Sequence, residues 1–403
     1  MELFWLEHKK LWRKKIVKIC VLLCFVYCVI FGSILSFQWF CFGSSDDYTS
    51  AFGNNFDGYT VIKDSQEYAL SFGGELTDET LQQIVSDYQQ MEADGMEKEL
   101  EKTDWQIVNS WLGTLYPELR DTSNYKTMIS YVDPDKLTGF YERRQQVLDE
   151  FLEVSGQVGA EKEFLHQIER KVEKPFHYEW VEGWSTLLGS MVADLGVVMA
   201  LFLGIVLSSL FAGEWHDNTS TLVLTTRNGW GKIALAKILT GLAFTVELFA
   251  LLAVSSVISQ LFFMGTAGWD MPIQNIKLIA VAPMNMLQAE IYEYAFVLLG
   301  AIGFAGIVMF ISAAVKNNVL TLLLSLAVVY GPMMIAEYLP YGMQKALDLI
   351  PLVGSSTDIF RTNTFRIFGK LIWSPYLLIT IPVLIGILCM PFAIKSWSRR
   401  MKA

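Results

Sequence analysis

Residues 186–212 read TLLGSMVADLGVVMALFLGIVLSSLFA, 27 residues with Asp194 as the sole charge. A stretch this long and apolar crosses a ~30 Å hydrocarbon core as one helix rising ~1.5 Å per residue. Five further stretches read the same way: Ile16 to Phe40, Ile233 to Met264, Tyr294 to Val315, Val319 to Leu339 and Pro375 to Ile394. Backbone amides in lipid must be satisfied within the segment, so each is expected to be a helix. The expected fold is an all-α membrane protein with six transmembrane helices and a mostly helical extracellular insertion between spans one and two.

Charge divides the chain in the same way. Between Phe42 and Ser185 there are 12 Lys and Arg against 29 Asp and Glu, a net of −17, and the rest of the chain carries +7. The overall acidity therefore belongs to the insertion, and nothing in it points to nucleic acid. The organisation is an amphipathic N-terminal helix at 1–15, span one at 16–40 and the acidic insertion at 41–185. Spans two to six follow at 186–394, interrupted by a cytoplasmic segment at 213–232, and a cytoplasmic tail occupies 395–403. The N-terminal helix sets Leu3, Phe4, Leu6, Leu11 and Trp12 among basic residues, as a helix lying on the inner membrane surface would. Its basic run precedes an apolar stretch too long for a signal sequence, so an uncleaved anchor is expected.

Lys and Arg in short loops set the orientation. With both termini in the cytoplasm, segments 1–18, 213–237, 315–318 and 395–403 gather 14 Lys and Arg against four acids. Residues 340–374 resist this scheme, because they fall outside yet carry Lys345, Arg361, Arg366 and Lys370. Trp12, Trp39, Trp180, Trp184 and Trp373 lie near proposed membrane edges, where indoles anchor.

In the insertion, Thr77 or Asp78 caps a helix with a Leu81, Ile84, Val85, Tyr88 stripe. A second helix is expected from near Pro134. A third carries Phe164, Leu165, Ile168 and Val172.

Inside the membrane, small residues recur at every fourth position. Span two carries Gly196, Ala200, Gly204, Ser208 and Ala212, and span one Cys20, Cys24, Cys28, Gly32 and Ser36. Residues four apart share a helix face, so each stripe makes a groove for a neighbouring helix, within the subunit or between subunits. The cysteines alternatively offer thiolates to a metal, but a row on one face makes a poor tetrahedron. Asp194 and Glu247 are reckoned at similar depth in their spans. A charge there costs ~2.5–3.5 kcal/mol, so the two mark either a candidate translocation path or a wet vestibule.

The segment between spans two and three, FAGEWHDNTSTLVLTTRNGWGKIALAKILTG, resembles the hallmark of ABC-2-type transporter permeases. Glu214, Thr219, Leu222, Leu224, Lys232, Ile233 and Lys237 match the pattern in place, while Asn218 replaces the usual Gly and Trp230 a common basic residue. The resemblance extends to the six-span plan and to the large insertion after span one, which looks like that of permeases from Gram-positive anaerobes. It implies that 213–232 is a coupling segment docked on an ATPase subunit, with Glu214, Thr219, Arg227, Lys232 and Lys237 as the coupling residues. It further implies a second permease subunit in a homo- or heterodimer, export, and residence in a bacterial cell membrane. ATP and Mg would be bound by the partner ATPase.

The residues are consistent with that division of labour. A phosphate-cradling GxxxxGK[ST], an HExxH and a GxSxG are all missing from the sequence, and the four histidines are scattered. No catalytic or metal residue is expected on this chain. The rival reading is a membrane-anchored sensor or immunity protein whose external domain binds a peptide or antibiotic without transport.

Overall fold

The computed structural model describes residues 2–42, 66, 73–95, 105–121, 126–188, 192–217, 219, 231–354 and 363–399, with backbone alone at 31–42, 105, 106, 192–194, 337, 341 and 399. Helix α1 (Glu2–Arg13) bends at Lys14 into the 28-residue α2 (Lys15–Phe42). The bundle continues with α7 (Val192–His216), α8 (Lys232–Met264), α9 (Met286–Val315), α10 (Asn318–Ile335) and α11 (Ser374–Arg399). The insertion between α2 and α7 holds α3 (Asp78–Ala93), α4 (Trp105–Leu115), α5 (Phe140–Val154) and α6 (Ala160–Glu169). The short strands β1 (Gly74–Leu76) and β2 (Phe176–Tyr178) pair antiparallel across it. Among the described residues five helices, α7 to α11, are long and apolar enough to cross a membrane, the mark of a multi-pass membrane protein.

Span four is longer than its apolar run. Asn285 accepts from Gln288 N, and the Gln288 side chain accepts from Asn285 N, a capping box that starts α9 eight residues before Tyr294. Glu290 and Glu293 thereby enter the helix.

The tightest helix contact lies between α9 and α11. A Cβ built at Gly386 would stand 2.5 Å from Gly303 Cα, and one at Gly306 would stand 2.5 Å from Gly386 O. Backbones this close leave no room for a side chain. The stripe expected on span two does pack, within the subunit. A Cβ at Gly204 would meet Leu322 and Leu326 of α10 at 3.2 Å, and Ser312 of α9 donates to Ser208 O while accepting from the amides of Phe211 and Ala212. Gly196 meets nothing within 4 Å. Cys20, Cys24 and Cys28 are buried in the same core.

The bundle has two unlike ends. At one, α1, the last turn of α7, the first turns of α8, the α9–α10 corner and the end of α11 meet. Trp397 packs on Phe211 and Trp215, and Lys316 Nζ sits 4.3 Å over the Trp215 ring. These five places fall within the four segments that carry the excess Lys and Arg. The other end gathers the described parts of the acidic insertion, residues 265–285, and residues 340–354 and 363–373. There Trp111 Nε1 donates to Asn275 O, and Arg144 donates to Leu278 O and Ala280 O.

The basic loop that resisted the topology belongs to this second end. Its hairpin, β3 (Thr364–Ile367) and β4 (Lys370–Trp373), brings Arg366 Nη2 to 2.7 Å from Glu161 Oε1 and Thr364 Oγ1 to 2.7 Å from Gln157 Oε1. Arg366 and Lys345 of this loop thereby lie near Glu161 of the insertion.

Three expectations need correction. Trp180, Trp184 and Trp373 are buried in the cores of this end rather than facing lipid. Pro134 begins a 3₁₀ turn, and α5 starts at Phe140, because Gly139 takes a left-handed conformation and Asp78 accepts from the amides of Gly139 and Phe140. Val172 lies beyond α6, which ends at Glu169. Thr77 caps α3, accepting from Thr80 N.

Candidate functional site

Glu214 occupies the last turns of α7, where unpaired carbonyls already make the helix end negative. A carboxylate there needs cations, and the fold supplies two. Lys237, in the second turn of α8, places Nζ 2.8 Å from Glu214 Oε1, and Lys10 of α1 places its own at 2.5 Å. Thr219 donates its hydroxyl to Glu214 Oε2, and its amide reaches Glu214 O at 3.0 Å. Lys237 also pairs with Glu7 Oε2 at 2.8 Å, and Lys14 donates to Ser209 Oγ at 2.9 Å.

Glu214 and Lys237 are 4% and 2% exposed, so this is an interior clamp. Burial works against the charge of Lys10, but its bond to Glu214 and the neighbouring carboxylates outweigh it and hold its pKa above the usual lysine value. Burial and the nearby charges of Lys237 and Lys10 push Lys14 below that value.

Of the five coupling residues expected, Glu214, Thr219 and Lys237 thus converge, and they face α1 rather than a surface. Lys232 is exposed. Arg227 lies outside the described residues. Glu214 and Lys237 thus tie α1, α7 and α8 together. The sequence carries no local sign of the part played by Glu7 and Lys10, because they pair with residues more than 200 positions away.

Glu247 joins the same end. Its carboxylate lies 3.2 Å from His8 Nε2 and accepts from Trp12 Nε1 at 3.0 Å. Asp194, whose side chain is not described, sits at the far end of α7, about 22 Å of helix rise from the Ser209 that Lys14 touches. The two acids expected on one path are therefore not brought together. Glu247 stays 42% exposed beside α1.

A different pair of acids does lie inside the bundle. Glu290 is 3% exposed and Glu293 is fully buried, both on α9. Neither oxygen of Glu290 accepts a hydrogen bond of good geometry. Its polar neighbour is the Tyr294 hydroxyl, which also lies within electrostatic reach of Glu293 and of Cys28 on α2. The Tyr294 ring packs on Phe249 of α8 at 6.1 Å. Hydropathy hid this pair, since the apolar run was counted from Tyr294; the capping box at Asn285 was the available signal.

A fourth buried acid sits in the insertion. Glu169 accepts from Arg144 at 2.5 Å and from Lys174 at 2.8 Å. Burial raises its pKa, but those two cations overcome the effect and hold it below the usual carboxylate range. Arg144, itself fully buried, thereby staples the insertion to residues 278–280. Among the described residues no group of three or more His, Cys, Asp and Glu stands close enough to hold a metal ion. No protein-family model, no curated protein and no solved structure matches this chain.

Proposed function

We propose that this chain is the membrane-spanning permease subunit of an ATP-binding cassette exporter. It crosses a bacterial cell membrane six times, with both termini cytoplasmic and the acidic insertion outside. It works beside a second permease subunit and draws on ATP hydrolysis in a separate ATPase subunit. The carrying observation is the convergence of Glu214, Thr219 and Lys237, three residues of the ABC-2-like segment, on one clamp at the basic end of the bundle. A clamp there makes α1, α7 and α8 move together, so a push on the segment between α7 and α8 reaches three helices at once. That is the two-state element an ATPase closing on nucleotide would bias.

The test is co-purification of the full chain with an ATPase subunit identified by its phosphate-binding loop. Charge reversal at Arg227 and Lys232 is expected to lower ATPase retention at least tenfold while the chain still folds. Full retention in that double variant would remove the docking role. The sensor reading keeps one observation in its favour, a polar cleft of about 370 Å³ between the insertion and residues 270–288, lined by Lys171, Glu173, His177 and Asp270. A chain that binds a peptide there and retains no ATPase would favour that reading.

A further inference from the structure

The cleft of about 370 Å³ at the insertion end is bounded by residues 171–177 on one side and 270–288 on the other. Its lining is of two kinds. Val172 and Phe176, both buried, join Pro272, Pro283 and Met284 in an apolar wall. Lys171, Glu173 and Asp270 stand exposed at the rim, and none of the three has an ion pair among the described residues. Lys174 and His177 beside them turn instead to Glu169 and Glu179.

Gln274 is fully buried and lines the same cleft. Its amide nitrogen donates to Ala280 O at 3.0 Å and to Ala282 O at 2.9 Å. Two carbonyls on that side fix which way the amide lies, since only the nitrogen can donate to them. Gln274 Oε1 is left without a donor among the described residues. A buried acceptor in that state is costly, and an N–H carried into the cleft removes the cost. The charges decide what carries it. Two acids against one lysine make the cleft negative, and residues 42–185 carry a net −17, so a cationic group is drawn in. An anion finds no seat at the adjoining start of α9. The amides of Met286 and Leu287 donate to Met271 O and Trp269 O, and that of Gln288 to Asn285 Oδ1. The first turn therefore has none of these to offer a phosphate.

We infer that this cleft binds a short peptide with free ends. Its ammonium goes to the acids at the rim, its carboxylate to Lys171, and a backbone N–H to Gln274 Oε1. The apolar wall receives one aliphatic side chain. A volume near the lower end of the ~300–1,000 Å³ usual for small-ligand sites suits a peptide of a few residues and excludes a folded partner. The inference goes beyond the permease reading and does not rest on it. Loss of ATPase association leaves the cleft as it is, and an empty cleft leaves the coupling end untouched.

The experiment uses the full chain in nanodiscs of zwitterionic lipid, with the radiolabelled tripeptide Ala-Leu-Ala as probe and empty nanodiscs as baseline. The probe carries no net charge, so it reports the site rather than general attraction to an acidic surface. Saturable binding above the baseline is expected, and acetylating the amino end of the probe should weaken it at least tenfold. Glu173→Gln with Asp270→Asn should weaken it as much, at an unchanged melting temperature, because both side chains are exposed. Diethylpyrocarbonate applied to the unaltered chain supplies a readout that does not depend on a variant. Its modification of His177, which lines the cleft, should be slowed by saturating probe when read by mass spectrometry. Binding no greater than in empty nanodiscs would overturn the site, as would equal binding of the acetylated probe or unchanged binding in the double variant. Modification of His177 indifferent to the probe would overturn it equally.

Discussion

Glu214 and Glu290 are both buried carboxylates on bundle helices, and the chain treats them in opposite ways. Glu214 receives two lysines and a threonine hydroxyl, drawn from α1, from α8 and from the segment after α7. Glu290 receives a tyrosine neighbour and no ion pair among the described residues. A charge satisfied from within fixes the fold where it stands. A carboxylate left without cations among the described residues ties no second helix by charge. The two sites thus differ in kind, one closed by ion pairs and one not.

The comparison can be broken most forcefully at Lys237. Lys237→Met leaves Glu214 short of a cation in a buried site and should cost about 3–5 kcal/mol, read as a fall in the melting temperature in detergent. The double variant Glu214→Gln/Lys237→Met should recover most of that loss, because both charges go together. A double variant no better than the single would show that Glu214 is satisfied some other way.

Next in size is the glycine contact that seats α9, the helix carrying Glu290. Gly386→Leu forces a side chain into the Gly303 backbone and should cost about 1–3 kcal/mol by the same melting measurement. An unshifted transition would mean that α9 and α11 are not held at this distance.

Glu169 sharpens the contrast outside the spans. Its carboxyl pKa is depressed in the folded state, so the stability it confers is full above the ordinary carboxylate range and is lost as pH falls through the lowered value. Tryptophan fluorescence should follow loosening of the staple near Trp111 on acidification, and Glu169→Gln should flatten that pH dependence. An identical acid profile in the variant would assign the loosening to other groups.

The smallest expected effect belongs to Glu290→Gln. Removing a carboxylate that pairs with no cation among the described residues should leave the melting temperature unchanged or raise it. A drop as large as that of Lys237→Met would place Glu290 among the structural acids and erase the difference between the two sites.

Much of this architecture was legible in the sequence, for identifiable reasons. The membrane segments are legible because lipid demands long apolar runs, and the grouping of the two ends follows from where Lys and Arg fall. Thr77 was legible as a cap because capping is local. The clamp was half legible: Glu214 and Lys237 stand out in the segment, but their burial depends on Glu7 and Lys10, whose pairing has no local signature. Glu290 and Glu293 were missed because charge ended the apolar count while the helix ran on to Met286. Gly303, Gly306 and Gly386 were missed because their close approach needs a partner backbone from another helix. Glu247 was linked with Asp194 because depth along one helix says nothing of which neighbour bonds to it.

The permease reading meets its most direct test in ATP hydrolysis by the purified ATPase subunit, measured with and without the full chain in nanodiscs. The chain should raise the rate, and charge reversal at Arg227 and Lys232 should abolish the rise without lowering the melting temperature. A rate indifferent to the chain, or a rise that survives the reversal, would contradict it.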